Sequence, residues 1–320
     1  MLYTVRHITT FIYEATISES VMEARMQPRT DATQRCVQFR FNTTPASRVM
    51  RYHDHEGNIV HHFNVPGRHS RLVIDAEALV ECHPPVDLPA ALNIGGWERL
   101  DAVTASGDFW DVLAPSPFTG RTPALDRLAT EIGLERGDDP LDTMRGLMQE
   151  MHTRFEYAPR TTRVDSPIDE ALDARKGVCQ DFAHIFIALG RQLGLPCRYV
   201  SGYLFSQPED GTRSMDGATH AWMETWLPDT GWVGWDPTNN LVTGEHHVRV
   251  AVGRDYSDVP PTRGVFKGSS GVRSELAVGV SIGSAAARPD REPVSFVPWT
   301  SQHVVSSRVD ADAAQQQQQQ

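Results

Sequence analysis

Cysteine is scarce in this 320-residue chain: Cys36, Cys82, Cys179 and Cys197 are its four, and they stand far apart. No two have zinc-finger spacing, and four scattered thiols over such a length make no disulfide framework. Positive charge is short as well. Thirty Lys and Arg against 41 Asp and Glu leave a formal charge of −11, which argues against a nucleic-acid partner, because phosphate neutralisation needs clustered cations. No apolar run reaches the roughly 18 residues of a membrane-spanning helix, and Met1–His7 lacks the charged-then-apolar build of a secretory signal. The expectation is a soluble protein of the reducing cytoplasm with free thiols. What is present is globular: 40% hydrophobic residues and 24 glycines, in a length that allows one large domain or two ordinary ones.

Residues 1–82 read as strands. Tyr3–Tyr13 is rich in β-branched and aromatic residues, Met22, Ala24 and Met26 alternate with Val21, Glu23 and Arg25, and Val37, Phe39 and Phe41 share a face. Arg51–His55 and Ile59–Phe63 flank Glu56-Gly57-Asn58, a hairpin turn, and Arg71–Val80 forms a further strand. This predicts an antiparallel β-sandwich. Residues 83–121, broken by Gly95-Gly96 and Pro115-Ser116-Pro117, read as a crossing linker with short helical pieces. From 122 to 283 the pattern predicts an α+β core, a helical subdomain packed on an antiparallel sheet. Leu125, Leu128, Ala129 and Ile132 give one helical stripe, and Leu141, Met144, Met148, Met151 and Phe155 give a second over Asp142–Tyr157. A third helix follows Cys179, with Phe182, Ile185, Phe186, Leu189 and Leu193 on its buried face and Gly194 as its stop. Strands are expected at Cys197–Leu204, Thr219–Leu227, Trp232–Asp236 and Val248–Val252. Residues 284–320, ending in six glutamines, read as a disordered tail.

Three residues carry candidate chemistry. Cys179 opens a helix just after Gly177, where unpaired N–H groups and the helix dipole favour thiolate and could hold an oxyanion. Taken alone, a cysteine reads more readily as a small buried residue, but the polar neighbours Arg175, Lys176, Gln180 and Asp181 place Cys179 at the wet edge of its helix. His220 begins a strand behind the loop Asp216-Gly217-Ala218-Thr219, a place for a base but also an ordinary strand terminus. Asp236 ends a strand before Pro237 and could accept an imidazole N–H, or merely start a turn. Their order, a nucleophile at a helix start and then two strand ends, makes a coherent triad. Asp181, two positions after Cys179, should point away from it.

Gly177-Val178-Cys179-Gln180-Asp181-Phe182-Ala183, Thr219-His220-Ala221-Trp222 and Gly234-Trp235-Asp236-Pro237-Thr238-Asn239 resemble the three core motifs of the transglutaminase-like superfamily, in the same order. The first 82 residues resemble the domain that precedes this core in bacterial transglutaminase-like proteins, and Arg249–Pro261 the segment that follows it. The resemblance implies a papain-like core with Cys179 as nucleophile, His220 as base and acid, and Asp236 as orienter. It implies acyl transfer on amide or isopeptide bonds through a thioester, by a peptidase, amidase or amine transferase. Partners would then be a protein or peptide substrate, and an amine acceptor in the transferase case. No cofactor and no metal are expected. The alternative is a non-catalytic binding or scaffold protein descended from the same fold.

Other features read as structural. His53, His55, His61, His62 and His69 suggest a metal at first sight, yet solvent-facing strand histidines need none. Trp222, Trp226, Trp232 and Trp235 read as sheet packing on one face, with Trp235 placed to shield an ion pair at Asp236, and Cys197 reads as a core residue.

Overall fold

A computed structural model describes residues 1–85, 87–92, 94–206 and 218–285. In chain order, strands β1 (Leu2–Ala24), β2 (Gln34–Thr44), β3 (Val49–His53) and β4 (Ile59–Cys82) come first. Helices α1 (Gly96–Thr104), α2 (Trp110–Leu113), α3 (Pro123–Glu131) and α4 (Pro140–Arg154) follow, then β5 (Glu156–Tyr157), α5 (Ile168–Ala174), β6 (Lys176–Gly177) and α6 (Cys179–Gln192). Next are β7 (Cys197–Leu204), β8 (His220–Leu227), β9 (Gly231–Asp236), β10 (Leu241–Val242) and β11 (His247–Gly253), a single 3₁₀ turn at Tyr256–Asp258, and finally β12 (Thr262–Lys267) and β13 (Ser274–Ser284).

The β-rich part is built on the long antiparallel pair β1/β4, which is irregular between Ile12 and Glu19. Bulges bend a strand and increase its twist, and the pair divides there into two halves. Beyond one half lie β13, beside β1, and β2, beside β4; beyond the other lie β12 and β3. Phe11, Tyr13, Leu72 and Ile74 of the first half share a core with Met22, Ala24, Phe63 and Val65 of the second. The rings of Tyr13 and Phe266 lie 5.0 Å apart, and those of Phe41 and Phe63 5.7 Å. The sandwich is therefore one sheet folded over on itself.

Its composition differs from the expectation in one respect. Residues 262–283, assigned by pattern to the second domain, supply β12 and most of β13, which bond to β1 from Tyr3↔Ser284 to Ala24↔Thr262. Two smaller differences have local causes. Arg71–Val80 is the end of the single strand β4, and a bulge between Cys36 and Gln38 turns Val37 outward, away from the side of Phe39 and Phe41. The tail lies outside the described residues apart from Ser284 and Ala285.

The helices start where their caps dictate. Thr122 Oγ1 accepts from Leu125 N–H ahead of Pro123, and Asp139 accepts from Leu141 and Asp142 N–H ahead of Pro140. The stripe expected to run on to Tyr157 stops as helix at Arg154. Glu156 and Tyr157 pair in parallel with Lys176 and Gly177 instead. The seven-residue α5 ends at Arg175, whose φ is 54°. It was not apparent in the sequence pattern, because so short an element leaves little periodicity to read.

The second sheet is antiparallel in the order β10-β9-β8-β7-β11. Helix α6 packs against it and is buried on all sides from Cys179 to Gly190, so it is the central helix rather than an amphipathic one. Gly190 permits the close approach: a Cβ there would sit 2.7 Å from Cys197 Sγ. Trp222 and Glu224 point to the opposite face by the two-residue period of β8. That face is covered by the loops of the first domain. Gln34 exchanges two amide hydrogen bonds with the backbone of Arg249, and Asn58 does the same with Val252. Both close the open edge of β11 as a further strand would.

Beneath them lies a buried ionic cluster. Glu224, with no exposed surface, meets Arg198 at 2.7 Å and Arg249 at 2.6 Å, and Arg249 in turn meets Asp31 at 2.7 Å. Removing one member of such a cluster leaves the others buried without a counter-charge. Glu224→Ala is expected to lose about 3–5 kcal/mol of stability and Glu224→Gln less, as measured by denaturant unfolding.

Candidate active site

Helix α6 begins in a tightly built corner. A Cβ on Gly177 would lie 2.7 Å from Asp181 Oδ2, so only glycine lets that carboxylate fold back onto the start of its own helix. There Asp181 Oδ2 accepts from Val178 N–H at 2.8 Å and from Thr162 Oγ1 at 2.5 Å. Burial pushes the Asp181 carboxyl up to about 6, against the pull of these two donors. Asp181 thus points away from His220, as its position predicts. Gln180 fixes the neighbouring loop by donating to Val164 O at 2.9 Å.

The three sequence-derived residues converge. His220 Nε2 donates to Asp236 Oδ2 at 2.7 Å, and Cys179 is hydrogen-bonded to the same imidazole. With Nε2 committed to the carboxylate, Nδ1 is the nitrogen left for the thiol. Cys179 was expected at the wet edge of its helix, but only 3% of it is exposed, because the whole first turn of α6 is covered. Of the loop before His220, Asp216 and Gly217 lie outside the described residues.

Asp236 is completely buried and accepts from five donors. Oδ1 takes the N–H groups of Thr238 (3.1 Å) and Asn239 (3.2 Å); Oδ2 takes His220, Asn239 Nδ2 (2.8 Å) and His247 Nε2 (3.2 Å). The turn-forming and site-forming readings of Asp-Pro-Thr-Asn are therefore both realised, since the turn supplies three of the donors. Burial alone would raise the Asp236 carboxyl, but the two histidines outweigh it and hold it far below the usual range. Burial would likewise lower His220, and the Asp236 charge, aided by Cys179, outweighs it and raises the imidazole well above the ordinary histidine value.

His247 and the side chain of Asn239 were not singled out from the sequence. Asn239 stood within a quoted motif, but nothing in the pattern separates His247 from its neighbour His246. Trp222 lies edge-on to His247 with ring centres 5.2 Å apart, and 6.0 Å from His220. It fits there because a Cβ on Gly202 would fall 2.5 Å from its ring. The shielding expected of Trp235 is thus provided by Trp222. Trp235 lies in the α6-side core, whereas Trp222, Trp226 and Trp232 share the other face, so the four do not cover one surface.

Among the described residues, His220, Asp236 and His247 are the group whose ligand atoms come within metal-binding range, 4.8 Å of one another. Gly244 N–H donates to His247 Nδ1 at 3.3 Å, which puts the proton of the neutral ring on Nε2, the very atom a metal would need. The donor set therefore suits hydrogen bonding and fits a metal ion poorly. Of the hairpin histidines, His53 and His55 are exposed, but His61 faces inward, stacked 4.8 Å from Phe41, and burial lowers it to about 4. Cys197 packs in the core, and burial pushes its thiol up to about 12.

Residues 127–237 match the transglutaminase-like superfamily, and residues 3–81 match the bacterial transglutaminase-like N-terminal region. An uncharacterized protein of Mycobacterium leprae is 32% identical over 278 residues, covering 86% of this chain and 96% of its own. The chain belongs to the transglutaminase-like superfamily. An uncharacterized protein of Mycobacterium tuberculosis is 35% identical over 281 residues, covering 82% of this chain and 87% of its own. The fold matches the crystal structure of a candidate cysteine protease from Cytophaga hutchinsonii, with a TM-score of 0.66, 19% identity and coverage of 88% of this chain and 98% of that one. Over 92 residues, 27% of this chain, it is 33% identical to a protein-glutamine gamma-glutamyltransferase of Pseudomonas aeruginosa, of which the match covers 14%. The transglutaminase-type cysteine-enzyme fold thus stands on sequence and structure together.

The opposed shifts fix how stability depends on pH. His220, raised in the folded protein, contributes fully below its unfolded value of 6.5 and loses that contribution as pH climbs through its folded value. Asp236, depressed, contributes fully above 3.8 and loses it as pH falls toward its folded value. The stability lost in Asp236→Asn is therefore expected to be greatest between these two unfolded values and to shrink on either side, as denaturant unfolding of both proteins across pH would record.

Proposed function

We propose that the protein is a thiol enzyme that transfers acyl groups from amide or isopeptide bonds, with Cys179 as nucleophile, His220 as acid and base, and Asp236 as the group that orients and charges the imidazole. The observation that carries this reading is the continuous hydrogen-bonded chain from Cys179 through His220 to a fully buried, five-donor Asp236. The raised imidazole favours a thiolate–imidazolium pair, the nucleophilic state of a cysteine.

The steps follow from the atoms. The Cys179 sulfur attacks the amide carbon, and the carbonyl π pair moves to oxygen, where the backbone N–H at the start of α6 stabilises the charge. The oxyanion collapses, the C–N bond breaks, and His220 gives its proton to the departing amine, leaving a thioester. A second nucleophile then attacks the thioester carbon while His220 takes its proton, and the thiolate leaves. Water gives the carboxylic acid; a primary amine gives a new amide. The substrate class in this reading is a protein or peptide. The similarity to a gamma-glutamyltransferase supports the amine route, and that to a candidate cysteine protease is compatible with hydrolysis. A reducing, cytoplasmic setting, which would keep Cys179 a thiol, belongs to the same proposal.

The experiment is turnover of a peptide glutaminyl amide with and without a primary amine, following ammonia and the new amide by mass spectrometry. Cys179→Ala is expected to fold normally and lose all turnover, and His220→Ala to lose about 10²–10⁴-fold. Undiminished turnover in Cys179→Ala would exclude the mechanism.

A further inference from the structure

Two histidines share one carboxylate oxygen. His220 and His247 both direct Nε2 at Asp236 Oδ2, yet they are driven in opposite directions. His220 is raised; His247 is lowered, chiefly by burial, which with smaller contributions from the neighbouring His220 and His246 outweighs the pull of Asp236. Histidines held apart in this way have different duties.

The geometry shows how His247 is kept neutral. Residues 244–247 close on themselves: His247 N–H donates to Gly244 O at 3.0 Å, and Gly244 N–H donates to His247 Nδ1 at 3.3 Å. A ring nitrogen that accepts an N–H bears no proton, so the ring proton sits on Nε2 and faces Asp236. A second proton at Nδ1 would oppose the Gly244 N–H directly. The titratable groups acting on this ring are His220 from β8, Asp236 from β9 and His246 beside it; Trp222 of β8 covers its edge. Asp236 does not depend on His247 for anchorage, because Thr238 and Asn239 hold it from its own turn.

We infer that His247 is a positioning residue acting on His220 through Asp236: a neutral N–H donor, locked in one tautomer, that draws charge from Oδ2 and weakens the hold of the carboxylate on the His220 proton. An acid that must protonate a leaving amine serves poorly if its proton is held too firmly. The inference rests on the triad reading above and adds a fourth residue to it.

The test is the rate of Cys179 alkylation by iodoacetate against pH in the full chain. Iodoacetate is an anion and reacts fastest beside an imidazolium, so its rate falls at high pH as His220 loses its proton. His247→Asn keeps an acceptor for Gly244 but is too short to donate to Asp236; the alkaline fall is expected to move upward by about one pH unit, the scale of one hydrogen bond to a charged group. His247→Phe, which loses both contacts, is expected to move the same way and stands as a second variant should the first not fold. His247→Gln, whose amide can replace the Nε2–H donor, is expected to restore the wild-type position. A fall that stays in place or moves downward in the Asn and Phe variants overturns the inference and leaves the triad standing. A wild-type rate with no alkaline fall overturns the triad reading itself.

Discussion

The site depends on one costly arrangement, an ionised carboxylate with no access to water. Moving Asp236 out of solvent is unfavourable by itself, and the structure offsets this by surrounding it with five N–H donors, two of them imidazoles. Everything near it serves that end. The Asp-Pro-Thr-Asn turn supplies backbone and side-chain donors, β8 delivers His220, β11 delivers His247, and Trp222 excludes solvent from the rings. Charge on the carboxylate in turn maintains charge on His220.

The other end of this relay is set by backbone geometry. Gly177 and Asp181 shape the first turn of α6 so that Cys179 is placed where the peptide N–H groups converge, while Gly190 seats the helix closely on the sheet. The sulfur is positioned by a helix packed on all sides, and the imidazole by a strand in the middle of the sheet. Both are rigid supports, which suits a reaction requiring alignment to within a fraction of an ångström.

Much of this was legible in the sequence because it is local. The stripes of α3, α4 and α6 gave helices, Cys197–Leu204 emerged as a strand with those bounds, and three short motifs named Cys179, His220 and Asp236, which the fold brings together. What escaped is non-local or too short. A run such as Thr262–Lys267 can announce a strand but not that its partner is Val21 and its neighbours, some 240 residues earlier. One inserted residue at Val37 reverses a face without altering composition. His247 became visible only through its distance from Asp236, since a histidine at the start of a strand looks the same whether it faces solvent or a buried carboxylate.

The placement of β12 and β13 has a consequence for how the molecule is made. Both flank β1, which is synthesised before every other described strand, yet they are nearly the last described segments to be made. The entire transglutaminase-like core must emerge before that flank can close, so this core is in effect an insertion within its host sheet. Completion of the host is delayed by long-range pairing, the slow kind of contact, and until then one side of β1 depends on other protection from aggregation.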